Sequence, residues 1–307
     1  MSTIDRAISN RLIFAIVLTA ITLVAEIIGG IWSNSLALLS DAGHVFLDLF
    51  ALVLSLTAIK LAAQPPGERH SYGLHRAEVL ASLLNGLTVF LMAIGILYEG
   101  SKRLISPEEV QTTPMLVVAL FGLGANLLAA KGLHGHAHND LNVRSAFLHV
   151  LGDAAASVGV IAGALLMRYT GWYQADPIIS IAIGLLILTG AGRVLREATH
   201  ILMEGVPRGM SVEQVAASIR RIEGVLDVHH LNLWSVCSHI LALSAHVEVR
   251  PDYGGERGQL MHLIEHELQH SFHITHTTIQ FDCSTCNSGP LIKELSHQQR
   301  DACEHKH

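Results

Sequence analysis

Residues 36–59 read LALLSDAGHVFLDLFALVLSLTAI, with His44 and Asp48 in the middle of the run. A bilayer core of about 30 Å takes roughly 20 mostly apolar residues in a helix, so this run is long enough to cross one. An ionisable side chain inside a span costs about 2.5–3.5 kcal/mol on insertion scales, which makes its presence a functional clue. Five more stretches qualify by length and composition: Leu12–Ile31, Val79–Tyr98, Pro114–Ala130, Ser145–Met167 and Ala175–Gly192. The run at 36–59 and Ser145–Met167 carry ionisable residues and are expected to score poorly on hydropathy. The first two-thirds of the chain therefore reads as an all-α domain of six transmembrane helices. The first apolar run is too long for a cleavable signal peptide and lacks a small-residue cleavage site.

Orientation follows from Lys and Arg near the span ends. With the N-terminus inside, Arg6, Arg11, Lys60, Arg69, Arg76, Lys131, Arg144, Arg193 and Arg196 are cytoplasmic, while Lys102, Arg103 and Arg168 lie outside. Six spans return the C-terminus to the cytoplasm. In a bacterium the membrane is the inner one.

The composition agrees. Of 307 residues, 50% are hydrophobic and 15% charged, against about 25% charged in ordinary soluble domains. Disorder is excluded by the apolar content. Acids outnumber Lys and Arg by 26 to 20, which argues against a nucleic-acid partner. The 20 histidines are the unusual number, and no run of six makes them a tag. Thirteen of them fall from His200 onward.

From about residue 206 the pattern alternates between helical and strand periods. Ser211–Glu223 reads as a helix, with Ser211 as N-cap and Gln214 completing a capping box. Val225–Val236 and Ile240–Val249 read as strands, Glu256–Ser271 as a helix and Thr275–Asp282 as a last strand. This αββαβ order predicts a two-layer α+β domain over 206–285, after a transmembrane domain over 1–205 and before a loose tail at 286–307. Residues 201–307 hold eight Lys and Arg against thirteen acids, and an acidic domain attracts cations.

The histidines inside the spans decide the chemistry. His44 with Asp48, and His149 with Asp153, are both spaced i, i+4, so each pair shares one helical face. Two imidazoles and two carboxylates supply the four N/O ligands of a tetrahedral Zn²⁺ site. At 1.5 Å per residue, both aspartates fall about 18 Å from the outer surface, near the midplane. Two alternatives stay open at this point: hydrogen-bonded pairs that merely hold the bundle together, and a proton relay without metal. Asp41, three residues before His44, reads as a helix-end residue with membership of the site as the alternative; Glu26, Asn85 and Asn126 read as makers of interhelical hydrogen bonds, with direct involvement in transport as the alternative for Glu26.

Ser35-Leu-Ala-Leu-Leu-Ser-Asp-Ala-Gly-His-Val-Phe-Leu-Asp48 resembles the second-span signature of the cation diffusion facilitators, and Leu148-His-Val-Leu-Gly-Asp153 resembles its fifth-span partner. Tyr72-Gly-Leu-His-Arg-Ala-Glu78, Asp227-Val-His-His-Leu-Asn-Leu-Trp234 and Thr278-Ile-Gln280 are similar to other landmarks of that family. The resemblance implies a homodimer of six-helix protomers with a metallochaperone-like cytoplasmic domain. It implies export of Zn²⁺ in exchange for H⁺, with Cd²⁺, Co²⁺ or Ni²⁺ as possible further cargo. His44, Asp48, His149 and Asp153 fall on the family's transport-site positions. His229, His246, His262 and Asp282 match positions where members bind regulatory metal.

Other groups are candidates on their own residues. Glu68, His70 and His75 make a candidate loop site, against the alternative of an exposed polar loop. Arg76 and Glu78 read as an interfacial charge pair. His134, His136 and His138 make a metal-collecting tract. Cys283 and Cys286 form one CxxC, able to hold Zn²⁺ on a reducing side. His262, His266, His270 and His273 form a helical stripe that reads as water-facing, and Cys237 as a small buried hydrophobe. No organic cofactor and no catalysis are expected: an intramembrane metalloprotease needs an HExxH-type pair, which the spans lack. A membrane-anchored zinc sensor is the competing function.

Overall fold

The computed structural model describes residues 3–134, 141–237, 239–282 and 289–292, with the backbone alone at 3–16, 52, 132–134 and 141–150. Six long helices come first: α1 Thr3–Ser33, α2 Leu36–Ala62, α3 Arg76–Ile105, α4 Thr112–His134, α5 Leu141–Thr170 and α6 Ala175–Leu202. Then follow α7 Val212–Arg220, β1 Val225–Cys237, β2 Ile240–Val249, α8 Arg257–Phe272 and β3 His276–Asp282. The chain divides into two compact units, Met1–Thr57 with Ala81–Leu195, and Ala58–Leu80 with Arg196–His307.

Helices α2 to α6 are long and apolar enough to cross a membrane, and α1 adds an apolar run over Val17–Ser33. Against expectation, α2 is as apolar as α6, because Leu, Val, Phe and Ala fill the turns around His44 and Asp48. The described part of α5 is the least apolar of the five.

The first unit buries several polar groups among its apolar core residues and exposes large apolar side chains. Val17, Ile21, Val24, Ile28 and Ile31 form an exposed stripe on α1, whereas Glu26, Ser35, Ser40, Asp41, Ser157, Asp176 and Ser180 are buried. That arrangement suits lipid, where the exterior loses nothing by being greasy and every polar group must find a partner within. Ala37 and Leu38 of α2, Met115 and Ala119 of α4, Val160 and Ala164 of α5 and Ala175 of α6 share one core cluster. Small residues let backbones approach closely. Gly163 of α5 is one case, since a β-carbon there would collide with the side chain of Ile179 on α6.

The start of α2 is anchored by another helix. Asn34 takes a left-handed turn (φ 55°), and Ser35 opens α2. The first amides of a helix have no intrahelical acceptor. Leu36 N–H and Ala37 N–H donate to the two carboxylate oxygens of Asp176 on α6, at 2.8 and 3.3 Å. The Ser35 hydroxyl donates to the same carboxylate at 2.5 Å and accepts from Leu38 N–H at 3.2 Å.

The second unit contains the α+β fold. Its sheet runs β1-β2-β3, with β1 and β2 antiparallel and β2 and β3 parallel. The α8 crossover makes that parallel pairing possible. Val215 and Ile219 of α7 and Leu260, Ile264 and Leu268 of α8 join the inward residues of the strands in one core. Ser211 does flank α7, but the expected capping box does not form. Its hydroxyl goes to the Glu213 carboxylate at 2.7 Å and makes no cap bond. Ser211→Ala is therefore expected to change the midpoint of thermal unfolding by no more than an ordinary surface substitution, within about 0.5 kcal/mol.

The stretch after β3 is not loose throughout. His230 N–H donates to the Pro290 carbonyl at 3.1 Å and Leu231 N–H to the Leu291 carbonyl at 2.7 Å. Leu291 packs against the core. The expectation of a tail free from 286 onward fails at 289–292, because β1 is an edge strand with amides to satisfy.

Candidate metal centres

Helix α2 brings His44 and Asp48 to one face, and α5 brings Asp153 opposite them. His44 Nε2 lies 3.7 Å from Asp48 Oδ2 and 4.0 Å from Asp153 Oδ1. One ligand atom from each of the three falls within 4.8 Å of the others. The three are half-buried. His149 sits one turn before Asp153 on α5; its side chain lies outside the described residues. A cavity of about 500 Å³ opens here, lined by Asp41, His44, Asn85, Gly152 and Asp153 among others.

Asp41 corrects one expectation. It lies inside α2, buried, and lines the cavity instead of ending a helix. Asn85 lines it too, and its Oδ1 makes no hydrogen bond among the described residues. Glu26 is 2% exposed, and its Oε2 likewise has no hydrogen bond among them. Neither oxygen makes the interhelical bond expected of it. Glu26 Oε1 fills the space that a β-carbon at Gly122 of α4 would need. Asp176 escaped the sequence reading altogether. The only hint was an acid at the head of an apolar run.

A second group forms on the outer face of the sheet. Asp282 Oδ2 accepts from His229 Nε2 at 3.1 Å and from His246 Nδ1 at 3.0 Å. Gln280 donates to Oδ1 at 2.8 Å. Burial pushes the Asp282 carboxyl upward, but the hydrogen bonds from His246, Gln280 and His229 outweigh it and hold the group below its usual range. His229 and His246 face each other in the β1–β2 register. Their ligand atoms form a cluster with a residue the sequence reading passed over, His230. His262 does not join them. It is exposed on α8, beside Glu265 at 3.5 Å. His266, His270 and His273 are exposed on the same helix and its cap, with the first two rings stacked.

The remaining candidates fare differently. Glu68, His70 and His75 form no ligand cluster among the described residues: Glu68 and His70 are exposed on a tight turn closed between Gly67 and His70, although His70 and His75 line one cavity beside Trp234. Tyr72 of this loop meets the His276 ring edge-on. Arg76 pairs with Glu204 at 2.9 Å. Cys237 is buried at the end of β1. The side chains of His134, His136 and His138, and all of Cys283 and Cys286, lie outside the described residues.

Known proteins resemble this chain along most of its length. A family model described as the cation efflux transmembrane domain matches residues 12–203, and another, for the cation efflux protein cytoplasmic domain (ZT_dimer), matches residues 207–283. The zinc transporter ZitB of Pectobacterium atrosepticum is 40% identical, over 91% of this chain and 87% of its own. A Bacillus subtilis protein named cadmium, cobalt and zinc/H(+)-K(+) antiporter is 38% identical over 97% of each chain. The metal cation efflux system protein CzcD of Cupriavidus metallidurans is 38% identical, over 95% of this chain and 88% of its own. A solved structure of the metal-bound C-terminal domain of the CzcD transporter is 27% identical, covering 24% of this chain and 99% of that one, with a TM-score of 0.22.

Proposed function

The chain belongs to the cation efflux family of multi-pass membrane proteins, and from that premise we propose that it exports Zn²⁺ from the cytoplasm in exchange for protons. The observation that carries the reading is the convergence of His44, Asp48 and Asp153 in a cavity among apolar helices. In this reading His149, one turn before Asp153 in the sequence of α5, is the fourth donor of a His₂Asp₂ site. A closed shell of four protein ligands leaves no position for an activated water, so it suits carriage of an ion and not hydrolysis.

Coupling follows from ligand chemistry. Zn²⁺ needs neutral imidazole and ionised carboxylate, so metal and protons compete for the same atoms. Open to the cytoplasm, the site takes Zn²⁺ and gives up protons. Open to the other side, it is reloaded by protons, which help expel the ion. Histidine titrates near neutrality, which places that exchange in the physiological range. Cd²⁺ and Co²⁺, which appear in the name of one relative, are admissible cargo for the same donors.

The protein works as a homodimer with both termini cytoplasmic, and its cytoplasmic domain binds regulatory Zn²⁺ at His229, His246 and Asp282. The test is flux. Purified protein in liposomes containing a zinc-sensitive dye is expected to move Zn²⁺ under a pH gradient, and the rate is expected to fall when a protonophore collapses the gradient. Zinc binding without flux would instead mark a membrane-anchored sensor.

A further inference from the structure

Neighbouring residues of a strand point to opposite faces, yet both His229 and His230 stand on the outer face of β1. A bulge makes this possible. His229 pairs with His246 and Asn232 with Ser244, so β1 spends one residue more than β2 over the interval. The extra residue lets Val228 and Leu231, three apart, both enter the core. His230 occupies the bulge in the left-handed region (φ 49°), a conformation that is costly for a non-glycine residue and recurs at ligand clamps.

The result is a cage of three imidazoles. Ring centroids are 5.0 Å apart for His229 and His230, 5.0 Å for His230 and His246, and 5.4 Å for His229 and His246. One nitrogen from each lies within 4.8 Å of the other two. In a tetrahedral zinc shell with bonds of about 2.0–2.1 Å, neighbouring nitrogens stand roughly 3.3 Å apart. Binding therefore requires the rings to rotate towards one another. Asp282 is not one of the three clustered residues, but its Oδ2 stands at such a separation from one nitrogen each of His229 and His246. His229 Nδ1 is buried with no hydrogen bond among the described residues, which leaves that ring one nitrogen uncommitted to the carboxylate.

The His230 ring is also held from behind. Its backbone is bonded to Pro290, and Gly289 packs so closely on its Nε2 that a β-carbon would collide. The segment 289–292 therefore seats the imidazole.

We propose that His230 is a zinc ligand, and that His229, His230, His246 and Asp282 form an N₃O site complete within one protomer, with no ligand borrowed from His262 of either chain. The proposal rests on the reading of the cytoplasmic domain as a binder of regulatory Zn²⁺.

The test uses the full-length protein with Asp48→Ala and Asp153→Ala to silence the membrane site. Zn²⁺ affinity is measured by competition with a chelator, and Co²⁺ substitution reports the ligand field. Asparagine tolerates the left-handed bulge, so His230→Asn keeps the backbone while removing the imidazole. His246→Asn and His230→Asn are each expected to weaken the tight site at least about tenfold and to alter the Co²⁺ spectrum, while His262→Asn leaves both unchanged. If His246→Asn weakens binding and His230→Asn does not, or if His262→Asn weakens it as much, closure within the protomer is wrong and the regulatory reading stands. If His246→Asn removes no tight zinc, the regulatory reading falls and the proposal with it.

Discussion

Asp153→Asn is expected to reduce proton-driven Zn²⁺ flux into proteoliposomes by at least about 100-fold. Outer-shell changes alone cost 10–100-fold at metal sites, and losing a charged ligand costs more. The Asp153 carboxylate stands 4.0 Å from His44 Nε2 on a different helix, so in the proposed site it joins α5 to the donors of α2. The isosteric amide keeps the volume and the cavity lining. It removes the negative charge that offsets Zn²⁺ in a low-dielectric setting. The thermal midpoint in detergent is expected to stay close to that of the parent, which separates loss of the ligand from loss of the fold. Flux at the parental rate would remove Asp153 from the transport site and the His₂Asp₂ mechanism with it.

Asp176→Leu is expected to have the largest effect on stability, about 3–6 kcal/mol, read as a fall in thermal midpoint and in yield from the membrane. The carboxylate receives two backbone amides and one hydroxyl from the start of α2, and it is fully buried. Each buried donor left unsatisfied costs about 1–3 kcal/mol. Asp176→Asn keeps one acceptor oxygen and is expected to lose roughly half as much. If the leucine variant is as stable as the parent, water or another side chain must satisfy these amides.

Much of this was legible from the sequence. The strand bounds fall within a residue of the expected ones, because β2 carries core residues at every second position from Leu243 to Val249 and β1 does so on either side of its bulge only in part. The His–Asp spacing singled out His44, Asp48 and Asp153, which the structure brings together, because charge inside an apolar run is costly enough to stand out. What escaped depends on distant partners. Asp176 drew no reading at all, because its partners on α2 lie 140 residues away. Asp41 reads as a helix end until the cavity shows which face of α2 turns inward. His230 is the clearest case. Regular alternation assigns it to the core face, and only the bulge, which no residue in the motif announces, turns it outward.

The contact between Asp176 and α2 also bears on biogenesis. Chains leave the ribosome at about 5–20 residues per second, and Ser35 precedes Asp176 by 141 positions. The second span therefore waits roughly 10–30 s for the residue that closes its first turn. Until the sixth span enters the bilayer, the bare amides at the head of the second must be covered by water or lipid headgroups. A nascent protein cut short before α6 can carry His44, Asp48 and Asp153 into the membrane, but its second helix has no fixed starting point from which to aim them.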